Sequence, residues 1–521
     1  MTIKILMIRK IAVVLALTLG AGACTKDFEE ININPTAPSE VPLDYLLAQA
    51  QLQISGSAGD PGYKVWRGNF IYSGTIVQQL ASVDDYYAGD KYTYNADNSG
   101  AYFADSYVNS VKSLADIISQ ASEDPADVNI LSMARILKVL QMHIITDLYG
   151  DVPYSEAGKG FISQIYKPKY DPQQAIYMDM LKELDEAGAA LNASAYVPTA
   201  ADFVYKGDVS KWKKAANSLM LRLAMRMQKA DPAAAQTWAK KAIDGGLMAS
   251  NDDTFKFIHT EGSTASRNPN SYNLGIGRGL IKGDNFQWSK TLIDMMKARK
   301  DPRISIISQL ANGDKTVANQ KGLPNGLDKS SGPNGLVTKT GDGNIKNYSR
   351  PTDLMYDDDD PNILLTFAET KFLTAEAIER GWATAGTAKD AYEAGQKAAV
   401  TQLAAFDATA GVVSAADAQA YVTANPYPVA GTLANKLTQI HSEMFILTAS
   451  TFNHYEGWSN WRRTGIPALT PTNYPGNLTG GVIPRRLIFP ISELAVNEAN
   501  YKEGVARMGK DDFLTRVWWD K

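Results

Sequence analysis

From Val41 onward, apolar residues return at every third or fourth position in block after block of helix length, and this spacing commits the chain to helices. Leu43, Leu46, Leu47, Ala50 and Leu52 form one such face behind Pro42, a residue suited to a first helical turn. A second helix is predicted over 99–120. Over 127–149, Ile130, Met133, Ala134, Leu137, Leu140, Met142 and Ile145 predict a helix buried in the core. Asp171-Pro172 opens the next, with Ile176, Met180, Leu181 and Leu184 on one face. Trp212, Ala216, Leu219, Leu223 and Met227 predict another over 211–229. Asp231-Pro232 starts a helix through Trp238 and Ile243 that Gly245-Gly246 ends.

Two helices are predicted over 363–381 and 387–405, joined by a short glycine-bounded turn into a hairpin. Within it Ala388, Tyr392 and Gly395 keep the small–aromatic–small spacing of a tetratricopeptide repeat, and 170–191 and 211–246 read as degenerate relatives. No clean repeat period runs through the chain. Strand-like runs are few and short, as at Lys256-Phe257-Ile258. Between 301 and 362 the helical period disappears into Gly, Asn, Asp, Ser and Pro, a loop excursion of the length usually kept for function. The class expected is all-α with long irregular loops, on a chain whose 45% hydrophobic content suffices for a large core.

The N-terminus is organised differently. Lys4, Arg9 and Lys10 precede an apolar run from Ile11 to Leu19 that is too short to span a bilayer, followed by Gly20-Ala21-Gly22-Ala23. The small residues run straight into Cys24, the only cysteine of the chain. Residues 1–23 are therefore expected to be a lipoprotein signal peptide, with Cys24 acylated and 24–40 serving as a surface tether. Ala21 stands where a lipobox usually has Leu. One binding domain is expected to fill 41–521. A single Cys excludes an intramolecular disulfide and makes a Cys-based zinc site implausible.

With 52 basic and 56 acidic side chains, nothing suggests nucleic acid as a partner, because phosphate binding needs a basic surface. No G-x-S-x-G elbow and no H-E-x-x-H helix occurs. The four histidines are scattered, and His143, between Met142 and Ile144, reads as a core residue. Gly275-Ile276-Gly277-Arg278-Gly279 lacks the preceding strand and following Lys-Ser of a phosphate loop, and reads as an ordinary loop. Asp357–Asp360 is a run of four carboxylates. Calcium is conceivable there, but the EF-hand pattern fails and a solvated loop is the expected reading. No catalytic residue, metal ligand or cofactor is expected, although paired glycosidase carboxylates need no local motif to announce them.

Aromatic residues supply the positive signal. The chain holds 25 Tyr and 9 Trp against 15 Phe, so rings with a polar handle dominate. Trp66, Phe70, Tyr72, Tyr86, Tyr87, Tyr92 and Tyr94 crowd between Tyr63 and Tyr107, interleaved with amides and carboxylates. A flat ring stacks on the C–H face of a sugar while a neighbouring polar group fixes its hydroxyls. Asp84-Asp85-Tyr86-Tyr87-Ala88-Gly89-Asp90 has no helical face and is the stronger candidate; Trp66, Phe70 and Val77 also keep the spacing of a core helix. The ligand platform is expected to centre on Trp66, Tyr86, Tyr87 and Tyr92, joined by Tyr272 and Trp288, with hydrogen bonds from Asp84, Asp85 and Asn285.

Several further runs carry a resemblance. These are Asn32-Ile33-Asn34-Pro35, Gln78-Gln79-Leu80-Ala81, Thr146-Asp147-Leu148-Tyr149-Gly150-Asp151-Val152-Pro153-Tyr154, Trp212-Lys213-Lys214-Ala215-Ala216-Asn217-Ser218-Leu219, 367–377, Trp461-Arg462-Arg463-Thr464-Gly465, Pro484-Arg485-Arg486 and Trp518-Trp519-Asp520-Lys521. The chain resembles the SusD/RagB-like nutrient-binding outer-membrane lipoproteins of Bacteroidetes, in particular their second large subfamily, over the whole mature length. It departs from them at 441–454, where the family's usual Gln-Lys-Trp helix is replaced. The resemblance implies a tetratricopeptide-like right-handed α-superhelix whose loops bear the ligand site. It also implies a protein held in the outer membrane by its lipid, facing the exterior, that captures an oligosaccharide and passes it to a SusC-like TonB-dependent transporter. Oligopeptide capture on the same scaffold is the alternative. A surface hydrolase and a purely structural scaffold are further readings.

Overall fold

The computed structural model describes residues 41–57, 62–274, 285–384 and 386–521. Cys24, the signal and tether segments and the Gly275–Gly279 run lie outside them. Twelve of its helices carry the architecture described below: α1 (Leu43–Ser55), α2 (Ala96–Ser106), α3 (Lys112–Ala121), α4 (Val128–Tyr149), α5 (Gln173–Ala190), α6 (Val209–Arg226), α7 (Pro232–Asp244), α8 (Lys290–Ala298), α9 (Phe367–Glu379), α10 (Ala388–Thr401), α11 (Leu433–Ser450) and α12 (His454–Thr464). The described strands are two to four residues long and pair only two at a time. The all-α class expected from the periodicity is the class observed.

Local chemistry fixes the helix ends. Asp208, Asp231, Thr366 and Thr387 each accept a hydrogen bond from a first-turn N–H of α6, α7, α9 and α10, satisfying donors that a helix start leaves open. Helices 4 to 7 then pack each on the next in chain order, and α9 and α10 form the expected hairpin. Gly395 explains its closeness: a Cβ there would stand 2.6 Å from the Phe372 ring, so only glycine lets α10 approach α9 this far. The segment opening the 363–381 block is a strand rather than a helix turn. Asn362–Leu365 pairs antiparallel with Phe255–Phe257, and its β-branched and leucine side chains are buried there.

The excursion at 301–362 is folded. It holds the short helices Ile304–Ile307 and Leu336–Thr340 and the pair Ser308–Gln309 with Arg350–Pro351. Leu323, Leu327, Leu336 and Tyr348 bury themselves against Ala81 and Val83 in a small core of their own. The excursion therefore packs directly against the segment leading into the aromatic loop.

The 146–154 run turns out to be a clasp for the C-terminus. Asp147, buried at the end of α4, accepts Trp519 Nε1–H at 2.7 Å and the Tyr177 hydroxyl. Arg226 and Arg462 lie 5.3 and 4.8 Å from the Trp519 ring, and Arg462 donates to the Asp147 carbonyl at 2.6 Å. Arg226 also pairs with Glu456 at 2.5 Å, while Arg222 grips Glu369 through two hydrogen bonds of 2.6 and 2.7 Å. These pairs offset the cost of burying the charges, which accounts for Arg and Asp inside apolar helices.

Candidate functional site

A π-helix, Val65–Gly74, crosses the face that carries the aromatic residues, and loop 82–92 runs alongside it. The two lie so close that a Cβ on Gly89 would stand 2.2 Å from the Ile71 carbonyl oxygen and the Thr75 hydroxyl. An internal ammonium holds the loop's shape. Lys91 is buried and donates to the carbonyls of Ser82, Asp84 and Tyr87 at 3.0, 3.2 and 3.3 Å, using all three of its hydrogens. Asp90, 3.5 Å from Lys91, accepts Asn325 Nδ2–H and Gly326 N–H, and so ties the loop to the excursion. Burial raises the Asp90 carboxyl above its ordinary pKa, against the pull of Lys91.

The loop presents Tyr86 to solvent, and half-buried Trp66 stacks on it at 5.4 Å and 29°. Tyr87 meets both rings edge-on from beneath, at 6.2 and 5.9 Å, and rests in turn on Phe286 at 4.5 Å. The result is a partly exposed stacked pair over a packed aromatic base, in the offset and edge geometries that ring quadrupoles favour. Arg67 extends the surface: its guanidinium lies 4.1 Å above the Tyr63 ring and donates to the Tyr63 hydroxyl at 2.6 Å. Tyr272, half-buried, sits on a short helix packed against the π-helix, with Arg267 at 5.8 Å from its ring. Asn285, also half-buried, immediately precedes Phe286. Asp85 is exposed. Asp84 accepts Tyr86 N–H at 3.0 Å and the Lys329 ammonium at 2.9 Å; partial burial alone would raise its pKa, and these two donors outweigh it and hold the carboxyl low.

At the far end of the loop, against Asp90 and Tyr92, lies a polar cleft of about 570 Å³. Its walls come from Gln78, the start of α8, the excursion near Asn325 and Asn334, and the segment 470–473. No spacing in the sequence joins these segments. Only the charged and amide-rich character of 324–340 hinted at a polar surface.

A family model of the second SusD-like type, described as starch-binding and associating with the outer membrane, matches residues 35–490. The chain belongs to the SusD-like family. No curated protein matches it. Among solved structures, a chitin-binding protein is 36% identical, covering 92% of this chain and 99% of its own at a TM-score of 0.79. A chitin-binding SusD homologue from Flavobacterium johnsoniae is 27% identical, with 92% and 98% covered and a TM-score of 0.76. A SusD homologue from Bacteroides uniformis is 26% identical, with 92% and 99% covered and a TM-score of 0.74.

Within this SusD-like fold, three of the expected platform rings prove to be core. Trp288 is fully buried, donates Nε1–H to the Ile307 carbonyl at 2.9 Å and stacks on Phe452 at 5.8 Å. Its strand, Gln287–Trp288, pairs with Leu80–Ala81, which turns the ring inward instead of toward a helix mouth. Tyr92, 1% exposed, takes up the left-handed conformation at φ +54° and accepts Thr472 N–H at 3.3 Å. Tyr87, 3% exposed, supports the platform from below. The residues the fold brings together at the surface are Trp66 and Tyr86, with Asp84 and Asp85 beside them.

The histidines assemble no reactive constellation among the described residues. His143 is buried, and burial together with Arg222 and Arg226 drives its pKa well below the ordinary value. His259 Nε2 lies 2.9 Å from Ser55 Oγ, but Ser55 is fully buried and the other ring nitrogen meets the Ser266 carbonyl where a triad needs a carboxylate. No group of three or more His, Cys, Asp or Glu side chains placed to hold a metal occurs among the described residues.

The acidic run is not wholly solvated. Asp360 is 3% exposed and accepts Asp357 N–H at 2.6 Å. Burial, with Asp357, Asp359 and Asp407 nearby, pushes its pKa from 3.8 up to about 8. The folded state thus holds this proton more tightly than the unfolded chain, so the contribution is fully present below about pH 4 and is lost as pH rises toward 8. Asp360→Asn should match the parent's stability at pH 4 and exceed it by about 1–2 kcal/mol at pH 8, allowing for partial solvent screening. Thermal melts across that range test this, and an identical pH profile for the two proteins contradicts it.

Proposed function

We propose that the protein is a non-catalytic glycan-capture subunit that binds an oligosaccharide at the cell surface and hands it to a SusC-like TonB-dependent transporter. One observation carries the reading: the partly exposed Trp66–Tyr86 stack, braced from below by Tyr87 and Phe286 and flanked by Asp84 and Asp85. Such a surface offers a stacking face with hydroxyl-directed acceptors at its edge. Two similar structures are named as chitin-binding, which makes chitin oligosaccharides the first ligands to test. A protein that must release its cargo suits a Kd of tens of micromolar, ~6 kcal/mol of binding free energy. No cofactor enters this account.

Acylation at Cys24 would fix the protein to the outer membrane, facing outward. Cys24→Ala should therefore move the protein from the membrane fraction to the soluble fraction without altering its glycan affinity. Retention of the variant at the membrane, as accessible to external protease as the parent, contradicts the anchor.

A further inference from the structure

We propose that the cleft at the far end of the loop is a second glycan subsite, receiving rings of the same oligosaccharide that reach beyond the Trp66–Tyr86 platform. This rests on the glycan reading above and adds to it a selection for chain length. The cleft's volume of about 570 Å³ lies within the range of ligand sites and exceeds what a single sugar ring fills. Its lining suits a neutral, hydroxylated ligand. Thr291 donates to Gln78, Thr340 to the Leu336 and Asp342 carbonyls, and Lys290 pairs with Asp294, which fixes the walls, while the carboxamides of Asn334 and Asn473 add donors and acceptors. Among the described residues the Asn334 and Lys339 side chains are committed to no protein partner, which leaves their polar groups for a ligand.

The backbone beside the cleft is held under strain. Gln78 and Tyr92 are non-glycine residues in the left-handed region, at φ +57° and +54°. Both are pinned to the cleft's 470–472 edge, Gln78 Nε2–H donating to the Thr470 carbonyl at 2.5 Å and Tyr92 accepting from Thr472. Such conformations persist where surrounding contacts over-determine them, and they gather at ligand sites. Asp84 links the two regions, with Tyr86 N–H on one carboxylate oxygen and Lys329, from the excursion that walls the cleft, on the other. The Asp84–Lys329 pair thus ties the platform loop to the excursion that supplies part of the cleft's lining.

The test is calorimetric titration of the mature protein with chitobiose, chitotetraose and chitohexaose, repeated on the double variant Asn334→Ala/Lys339→Ala. The parent should bind the hexamer roughly tenfold more tightly than the dimer. The double variant should bind the dimer as the parent does and lose the gain with length. Circular dichroism melts should coincide, since neither side chain holds the fold. A variant that keeps the full length gain, or a parent whose affinity ignores length, overturns the second subsite and leaves the platform standing. Failure of every length to bind contradicts both this inference and the glycan reading beneath it.

Discussion

Trp519→Ala should destabilise the fold by about 4–5 kcal/mol, the upper range for removing a fully buried tryptophan. The ring's apolar area accounts for most of that loss. Two flanking guanidiniums, Arg226 and Arg462, lose their cation–π contacts, and Asp147 loses the Trp519 Nε1–H donor while remaining buried beside Arg226. Trp519→Phe keeps an aromatic face but loses the donor and the second ring, so it should cost less, about 1–3 kcal/mol. Urea denaturation of both variants measures this. Stabilities equal to the parent's would mean that the C-terminal tryptophan does not clasp α4.

The second large effect separates surface rings from core rings. Trp66→Ala should weaken glycan binding by about 2 kcal/mol, near thirtyfold, with a melting temperature close to the parent's. Trp288→Ala should do the reverse, costing about 3–5 kcal/mol of folding stability while the molecules that remain folded bind with near-parent affinity. Tyr87→Ala should fall between, because its ring is both buried and the floor of the stacked pair. Melting curves and titrations on the same preparations give both readouts. If Trp66→Ala melts far below the parent and binds normally, the platform has been misplaced.

These expectations reflect which features one-dimensional spacing carries. Helices 1, 4 to 7, 9 and 10 were legible because each shows its buried stripe in a local window and most are bounded by a cap, a Pro or a Gly. Helices 11 and 12 were not read, since α11 and α12 bury His441, Glu443, His454, Glu456 and Arg462 along with their apolar residues, and paired charges erase the stripe. The aromatic density of 63–107 pointed to the correct face. It did not reveal which rings look outward. Trp288 faces the core because its strand pairs with Leu80–Ala81, and Tyr92 does so because 470–472 covers it. Both partners are remote in sequence. The cleft was invisible for the same reason, being walled by segments that meet only once the excursion has folded against Ala81 and Val83. The 146–154 run was legible as a family mark, but its role as a clasp needed the position of Trp519.

Capture without cleavage is the claim on which the rest depends, and one titration reaches it directly. Chitohexaose is titrated into the mature protein, and the sugar is then recovered after long incubation and weighed by mass spectrometry. The account predicts saturable binding with a Kd of tens of micromolar, abolished or weakened about thirtyfold by Trp66→Ala, and recovery of the hexamer intact. Shortened oligosaccharides in the recovered pool, or binding that Trp66→Ala leaves unchanged, would contradict it.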